Sequence, residues 1–563
     1  MKRKFSLFLN VAVLALCVCA IAIGVYSAKQ ASLNVTGTIG FTAHNCDVDI
    51  SGYIYGHSTG VDGEPIAKPT TDEQKQYLTY GTNTKATESA PLKISGTLDN
   101  ALTFGNVYFS DMGDSGEVEP IIIELTITNI SQFDVLLEDD TTVASGAGYT
   151  AVCSNPLHVL YLNTENGEET TTLQYILRPA KDSNGNYVNI DSPVSVTLNM
   201  NFSKINTDIV GNAADGWTVD DSGYLTAVPT KAQNNGSDTL IIPANVIKDG
   251  TTTQVYSIQN SSDTPITNIS DYKKVIILEG VYNIGSSAFY NCSSLESIAI
   301  PSSVNNMYSS AFYNCSSLES IAIPSSVTSI DYYAFQGCTS LVSIAIPEGV
   351  TSIFGSAFQG CTSLVSIAIP SSVDSIDNTA FQYCTSLVSI TFGANSQLTK
   401  INSYSFSGCS NLTSITIPSS VTIIDSSAFE YCRSLVSITF GANSKLTSIE
   451  YAAFEQCNSL VSITIPESVT SIASLAFYGC SSLTSIAIPS SVTSIDDFAF
   501  ESCSSLTNVT FETTEGWWYS DDSSATSGTA ISSANLADAT LAATYLKMSS
   551  SDGGYADKYW KRG

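Results

Sequence analysis

The sequence predicts a multi-domain, mainly β protein in which a repeat solenoid follows an N-terminal β-sandwich. Ten copies of Ala-Phe-x-x-Cys-x-x-Leu lie between Ala288 and Leu506, with Ser405 replacing one alanine and the cysteines spaced by 23 or 25 residues. A fixed period of this length is the signature of stacked coils. Residues 31–205 instead alternate apolar and polar residues in short runs separated by Gly, Asn and Asp. That pattern is typical of many short strands packed as a sandwich.

Each repeat begins with two extended segments. In the copy that starts at Cys338, Ile344 and Ile346 alternate with small residues, which predicts a half-buried strand. Pro347 ends that strand because proline cannot donate to a ladder. Val350 and Ile353 then form a second short segment that faces inward.

The third segment of the repeat has helical spacing. Ala357, Phe358, Cys361 and Leu364 fall at i, i+1, i+4 and i+7, which predicts a short helical turn. No unit can bury its own phenylalanine, so stacking supplies the core. The predicted core residues are the repeat phenylalanines Phe289, Phe312, Phe335, Phe358, Phe381, Phe406, Phe429, Phe454, Phe477 and Phe500.

The ten repeat cysteines occupy one inward position beside Phe and Leu. We interpret them as a ladder of buried thiols that act as small hydrophobes. Disulfides between coils are the alternative, although the Cβ vectors of equivalent residues run parallel. Zinc is less favoured because no Cys-x-x-Cys and no neighbouring His accompanies the cysteines. In the N-terminal region, pairing of Cys46 with Cys153 stays open.

The full pattern L-x-x-I-x-I-P-x-x-V-x-x-I-x-x-x-A-F-x-x-C resembles the BspA-type leucine-rich repeats of bacterial surface proteins over about residues 275–511. Two copies depart from it, at Phe392–Leu398 and Phe440–Leu446, where the loop is two residues longer. Loops tolerate such insertions. The resemblance implies a cell-surface or secreted adhesin that binds host or bacterial surface proteins or glycans.

The start of the N-terminal region, Ala31 to Ile39, resembles the TasA and camelysin group of Gram-positive matrix proteins. This resemblance implies an alternative function as a structural matrix or biofilm protein that assembles through its β-sandwich. Self-assembly of that region, rather than binding by the repeats, would distinguish the two functions.

Five regions are expected along the chain. Residues 1–28 pair a basic start, Lys2-Arg3-Lys4, with an apolar stretch, and this predicts export. Cleavage as a signal peptide and retention as a single-pass anchor both stay open, since the stretch is long enough to span a bilayer. The expected regions are 1–28 signal peptide or anchor, 31–205 β-sandwich, 206–274 N-terminal cap, 275–511 repeats and 512–563 C-terminal cap. No sorting motif for wall attachment is recognised near Gly563.

Composition and motifs favour a protein that is not an enzyme. Asp and Glu number 52 against 22 Lys and Arg, which excludes nucleic acid as an expected partner. Gly56–Gly60 matches a Gly-x-Ser-x-Gly elbow but lacks the following helix start that the elbow requires. His44, His57 and His158 show neither catalytic nor metal-ligand spacing. No cofactor or metal is expected.

Comparison of the ten copies locates the candidate binding surface. The window between the second Ile of each repeat and the Ala varies and collects aromatic residues, whereas the core positions hardly change. Tyrosine is enriched at protein interfaces because it is large, stiff and amphipathic. Rings that only pack over the turns are the alternative, and the small-residue strand face that includes Ser320, Ser343 and Thr416 is a second candidate surface. The candidate ligand-binding residues are Tyr308, Tyr332, Tyr333, Phe354, Tyr404 and Tyr451, with Phe498 in the same window and Tyr290, Tyr313, Tyr383, Tyr431 and Tyr478 just before their cysteines.

Overall fold

The computed structural model describes residues 34–55, 57–58, 74–80, 84–85, 87, 92–109, 121–129, 134–139, 149–153, 157–160, 170–179, 194–205, 209–259 and 265–563. The expected signal peptide or anchor, residues 1–28, lies outside these ranges. No helix within them is both long and apolar enough to cross a bilayer. The contacts divide the chain into two compact units between Asn206 and Thr207.

The first unit contains a mixed sheet. Strand β1 changes partners along its length: Val35–His44 pair in parallel with β12, and Val48–Tyr55 pair antiparallel with β7. Strand β6 runs antiparallel to β1. The strands are β1 (Asn34–Tyr55), β2 (His57–Ser58), β3 (Gln76–Tyr77), β4 (Thr79–Tyr80), β5 (Thr84–Lys85), β6 (Leu92–Phe109), β7 (Ile121–Asn129), β8 (Val135–Asp139), β9 (Tyr149–Cys153), β10 (Leu157–Leu160), β11 (Thr170–Pro179) and β12 (Val194–Lys204).

The sandwich arrangement of this unit stays a prediction. Cys153 is buried at the end of β9. The side chain of Cys46 lies outside the described part of the chain, so its pairing with Cys153 also stays a prediction.

The second unit is a solenoid of short strands with a cap at each end. Its strands are β13 (Val210–Asn212), β14 (Thr218–Val219), β15 (Tyr224–Ala227), β16 (Thr239–Ile242), β17 (Asn245–Lys248), β18 (Thr251–Gln254), β19 (Ser257–Ile258), β20 (Lys274–Ile277), β21 (Asn283–Ile284), β22 (Ser297–Ala299), β23 (Asn306–Met307), β24 (Ser320–Ala322), β25 (Ser329–Ile330), β26 (Ser343–Ala345), β27 (Ser352–Ile353), β28 (Ser366–Ile369), β29 (Ser375–Ile376), β30 (Ser389–Phe392), β31 (Lys400–Ile401), β32 (Ser414–Ile417), β33 (Ile423–Ile424), β34 (Ser437–Phe440), β35 (Ser448–Ile449), β36 (Ser462–Thr464), β37 (Ser471–Ile472), β38 (Ser485–Ile488), β39 (Ser494–Ile495), β40 (Asn508–Phe511), β41 (Trp517–Ser520), β42 (Thr529–Ala530) and β43 (Tyr559–Arg562). Its α-helices are α1 (Ser533–Ala537) and α2 (Ala539–Lys547), and short 3₁₀ turns occupy Ala213–Asp215, Ile269–Asp271 and Ser550–Asp552.

From β19 onward the repeat strands alternate between two parallel columns. The even-numbered strands from β20 to β40, which carry the Ile-x-Ile pattern, stack in one column that we call the first sheet, and the odd-numbered strands from β19 to β39 stack in another that we call the second sheet. Strand pairing is interrupted between β22 and β24 and between β26 and β28 in the first sheet, and between β23 and β25 and between β29 and β31 in the second. Register is kept from coil to coil, as in Ile367 opposite Ile390 and Ile353 opposite Ile376. This confirms the mainly β solenoid. We number the coils 1 to 10, each coil ending with its cysteine. These cysteines are Cys292, Cys315, Cys338, Cys361, Cys384, Cys409, Cys432, Cys457, Cys480 and Cys503.

The segment expected to be a short helical turn is instead a pair of linked turns. The N–H groups of Ala357, Gln359 and Cys361 bond three residues back within their own coil. Those of Ser356, Phe358 and Gly360 bond to carbonyls of the next coil, and the Phe358 bond to Ala380 measures 2.8 Å. Because alternate N–H groups point in different directions, a continuous helix cannot form. This Ala-Phe-x-x-Cys segment is therefore a third ladder, which we call the loop column.

Phenylalanines and cysteines fill the interior beneath the loop column. Each repeat phenylalanine is fully buried, and successive rings stack, as Phe335 and Phe358 do at 5.3 Å between centroids and 7° between planes. The ten repeat cysteines are free and buried. Burial raises the pKa of each thiol, in the case of Cys338 to about 12.

The two caps close the ends of this core. At the N-terminal end, β16 pairs in parallel with β20 and β19 with β21, so the cap continues both sheets. At the C-terminal end, β43 runs antiparallel to β39 and covers the edge of the second sheet. Trp517 and Trp560 are buried there against Phe511. One apolar core runs from Trp217 to Trp560.

Candidate binding surfaces on the solenoid

The loop column forces two residues of every coil into a left-handed backbone conformation. One directly precedes the Ala-Phe pair and the other directly precedes the cysteine. Glycine and asparagine adopt this conformation at the least cost, and bulky side chains are disfavoured there. Gly360 and Asn314 follow that rule, with φ of 72° and 55°.

Several coils place a tyrosine at these strained positions. Tyr333 and Tyr404 precede their Ala-Phe or Ser-Phe pair with φ of 59° and 57°, and Tyr383 and Tyr431 precede their cysteine with φ of 59° and 58°. All four side chains are between 37% and 52% exposed. A large part of each ring is therefore exposed to solvent, although the left-handed backbone conformation of a tyrosine costs free energy.

The aromatic side chains gather in local clusters. Tyr332 lies 5.0 Å from Phe354 and 6.4 Å from Tyr333 between ring centroids. Tyr332 also covers Gly355, where an added Cβ would meet its ring at 3.3 Å. Tyr383 covers Gly408 in the same way. We call the group from coil 3 to coil 8 the aromatic flank; it comprises Tyr332, Tyr333, Phe354, Tyr383, Tyr404, Tyr431 and Tyr451.

The remaining aromatic residues of the sequence comparison belong to the first two and the last two coils. Tyr290 and Tyr313 stack on each other at 4.7 Å. Phe498 and Tyr478 are half-buried near the C-terminal end of the repeats. Tyr308 is 40% exposed and lines the groove described below.

Carboxylates accompany the aromatic flank. Asp331, Asp377 and Asp425 directly follow the second Ile of their repeats and are half-buried. Asp425 forms an ion pair with Lys400 at 2.6 Å. The charges of Glu455 and Glu430 raise the pKa of the Tyr431 hydroxyl. The surface that carries the tyrosines is thus acidic.

A groove of about 320 Å³ lies at the N-terminal end of the second sheet. Tyr224 and Tyr256 line one side and Tyr308 lines the other, and the groove has Ser257 and Asn283 between them. The comparison of repeats missed this groove because half of it belongs to the cap. The signal was present in Tyr256-Ser257-Ile258, which aligns with Tyr282-Asn283-Ile284 of coil 1.

The small-residue face of the first sheet is uneven. Thr391, Thr416 and Thr439 are exposed, whereas Ser320 and Ser343 are buried. The outward exposure expected for Ser320 and Ser343 is therefore wrong. Where the loop is longer, beside Thr416, the surface forms a shallow depression.

Among the residues that the structure describes, no group of three or more His, Cys, Asp or Glu side chains could hold a metal ion. The solenoid instead has three candidate binding surfaces, which are the acidic aromatic flank, the uncharged groove and the small-residue face of the first sheet. This combination defines a repeat scaffold for binding.

Comparisons with known proteins identify the scaffold. The profile of the BspA type leucine rich repeat region matches residues 267–388, 329–446 and 437–541. The chain belongs to this family. A leucine-rich repeat protein from Bacteroides ovatus ATCC 8483 is 27% identical over 53% of this chain and 70% of that chain, with a TM-score of 0.42. A leucine rich cell surface protein from Faecalibacterium prausnitzii A2-165 is 30% identical over 53% of this chain and 93% of that chain, with a TM-score of 0.33.

A leucine-rich repeat protein from T. pallidum is 26% identical over 40% of this chain and 86% of that chain, with a TM-score of 0.26. A search of curated proteins finds no match. Leucine-rich repeats are typically non-catalytic scaffolds that bind other proteins. The resemblance of the N-terminal region to the TasA and camelysin group has no support among these comparisons and stays a prediction.

Proposed function

We propose that this protein is a non-enzymatic cell-surface adhesin whose aromatic flank binds another protein. The observation that carries the proposal is the conformation of Tyr333, Tyr383, Tyr404 and Tyr431. Each is a bulky residue at positive φ, and each leaves a large part of its ring in solvent. Strained residues of this kind persist where function requires them. Exposed tyrosines at such positions favour binding over packing.

The charge of the flank indicates the kind of partner. Half-buried carboxylates at Asp331, Asp377 and Glu450 lie beside the aromatic positions, and the whole chain has a net charge of −30. A partner with a basic surface would therefore be attracted over a distance and oriented as it arrives. We expect its association rate to fall as salt is added, because salt screens charges at the rim of an interface.

The proposal is tested by replacing tyrosines at positions where the backbone already prefers asparagine. The double variant Tyr333→Asn, Tyr404→Asn removes two rings without forcing a new backbone conformation. Its matched control is Ser310→Asn, Thr379→Asn, which changes the same position of the repeat at half-buried residues in two coils that carry no ring there. Binding to a panel of immobilised matrix proteins, mucins and bacterial surface preparations is measured by surface plasmon resonance.

We expect the tyrosine variant to lose most of its affinity for the partner that the parent binds and the control to keep it. Equal binding by both variants would mean that the rings only pack over the turns. Fibre formation by the full chain, with no binding by the repeats, would instead favour the alternative function as a matrix protein.

An adhesin must leave the cell, and we attribute its export to residues 1–28. Lys2-Arg3-Lys4 followed by an apolar stretch supports this role. The mass of the exported protein distinguishes the two fates of this segment: loss of about the first 28 residues indicates a cleaved signal peptide, and the full mass indicates a retained anchor. Protein that stays inside the cell would contradict the proposal.

A further inference from the structure

The groove at the N-terminal end of the second sheet has an uncharged polar floor. Strands β19, β21 and β23 pair in parallel and place Ser257, Asn283 and Asn306 side by side. The Nδ2 of Asn306 donates to Oδ1 of Asn283 at 2.8 Å. Gln259 follows β19 and also lines the groove. Carboxamides both donate and accept hydrogen bonds, so this floor can serve a ligand that does both.

One group on this floor lacks a hydrogen-bond partner. The Oγ of Ser257 is buried and unpaired, and the residue is only 1% exposed. A buried hydroxyl without a partner costs free energy, and such groups in folded proteins call for an explanation. Ser257 lines the groove, so a small movement of its side chain would let a ligand hydroxyl supply the missing partner.

Aromatic rings stand on both sides of this floor. Tyr256 is 49% exposed and packs against Tyr282 at 5.4 Å between centroids, and Tyr308 is 40% exposed on the opposite side. Exposed, supported rings offer flat apolar faces above a polar floor. The combination fits a molecule with an apolar face and hydroxyl groups around its edge, which is the chemistry of a sugar ring.

The side chains that line the groove carry no charge. The chain as a whole has a net charge of −30. An anionic ligand would thus meet repulsion without a cation to offset it. The volume of about 320 Å³ lies at the lower end of the range for small-molecule sites. We propose that this groove binds a short segment of a neutral oligosaccharide.

This saccharide site is separate from the aromatic flank, so the two proposals can fail independently. The probes are tetrasaccharides of glucose, mannose, galactose and N-acetylglucosamine, with a sialylated oligosaccharide as the anionic comparison. Each is titrated into the full chain by calorimetry. We expect at least one neutral tetrasaccharide to bind and the sialylated one not to bind.

Three substitutions test the site itself. Tyr256→Ala removes an exposed ring, and Ser257→Ala removes only the unpaired hydroxyl. Gly285→Ala places a methyl group 2.4 Å from Cβ of Gln259, which must then move. Each is expected to weaken saccharide binding about tenfold, the equivalent of 1.4 kcal/mol. Ser257→Ala separates binding from folding most clearly. Loss of an unpaired buried hydroxyl should leave the protein as stable as before or more stable, so weaker binding could not be attributed to unfolding.

Two matched controls accompany these variants. Ser420→Ala removes another buried hydroxyl without a partner, in coil 7, far along the chain from the groove. Tyr451→Ala removes a ring of the aromatic flank with the same 49% exposure as Tyr256. Both are expected to leave saccharide binding unchanged. The proposal is overturned if no neutral tetrasaccharide binds at millimolar concentration, or if Tyr256→Ala and Ser257→Ala bind as tightly as the parent.

Discussion

The thiol of Cys384 donates a hydrogen bond to the backbone carbonyl oxygen of Phe358, 3.2 Å away in the preceding coil. The same oxygen accepts the N–H of Cys361 at 3.1 Å. A carbonyl has two lone pairs, so this buried group is fully used. The contact recurs between successive coils, as from Cys361 to Phe335 and from Cys409 to Phe381. The repeat cysteine therefore links coils as well as filling space.

The ladder cysteines should be unreactive in the folded protein. The thiolate is the nucleophile, and burial raises the pKa of Cys384 to about 12 while its side chain is fully covered. Labelling with a maleimide at pH 7 is expected to leave the ten repeat cysteines unmodified until denaturant is added. Fast labelling of the native protein, or the mass of a disulfide-bonded form, would contradict this structure of the ladder.

The same burial predicts alkaline instability. Thiols in the unfolded chain ionise near the ordinary value of 9.0, whereas the pKa of Cys292, Cys384 and Cys503 is about 12 in the folded protein. Between these values the unfolded chain has released protons that the folded chain keeps, so the free energy of unfolding falls as pH rises. At pH 7 the thiols are protonated in both states and contribute no such loss.

Urea unfolding at pH 7, 9 and 10.5 with a reductant present measures this effect. The midpoint should already fall between the first two values, because thiols with a pKa of 9.0 are half ionised in the unfolded chain at pH 9, and it should fall further at the third. The variant Cys384→Ala serves as the control, because it removes one titrating thiol and should show a slightly smaller drop from its own lower starting point. A midpoint that rises with pH would show that the thiols are not buried in the neutral form.

The interior of the solenoid was predictable because its positions recur. Phe, Cys, Leu and Ile occupy the same places in ten copies, and period and polarity suffice to face them inward. The loop column was harder to predict, since Ala357, Phe358 and Cys361 have helical spacing although alternate N–H groups bond to the next coil. Gly337 and Gly360 before their cysteines were the available sign of a left-handed residue that would end a helix.

The candidate surfaces were predictable to different degrees. Variation among the copies predicted that Tyr333 and Tyr404 lie at the surface, because a residue that does not pack in the core can differ from copy to copy. The same comparison could not show that the backbone of these tyrosines is left-handed. No copy has a glycine at this position, where other coils have residues such as Ser356 and Thr379. The groove depends on Tyr256 and Ser257 of the cap, whose irregular spacing hides their alignment with coil 1.

Replacement of one stacked phenylalanine should unfold part of the solenoid. Phe381 is fully buried between Phe358 at 5.2 Å and Phe406 at 5.4 Å. We expect Phe381→Ala to lower the free energy of unfolding by about 3–5 kcal/mol. Since coils contact only their neighbours, the loss of hydrogen-exchange protection should centre on coils 4 to 6. Phe354→Ala, at a half-buried ring, should cost much less; equal costs would argue against the stacked core.

The strain at the aromatic flank can be measured by comparing two adjacent tyrosines. Tyr332 and Tyr333 are 45% and 44% exposed, yet only Tyr333 has a positive φ, of 59°. Replacement by asparagine removes a ring of similar exposure in both cases. At residue 333 it also relieves a conformation that costs a bulky residue about 1–2 kcal/mol.

Tyr333→Asn should therefore unfold at a higher urea concentration than Tyr332→Asn, by an amount that corresponds to about 1–2 kcal/mol. Tyr404→Asn should behave like Tyr333→Asn, because its φ is 57°. If Tyr333→Asn proved as unstable as Tyr332→Asn, the left-handed tyrosine would carry no strain. The flank would then lose the argument that its rings are kept for binding, since a tyrosine that costs nothing needs no functional reason to remain.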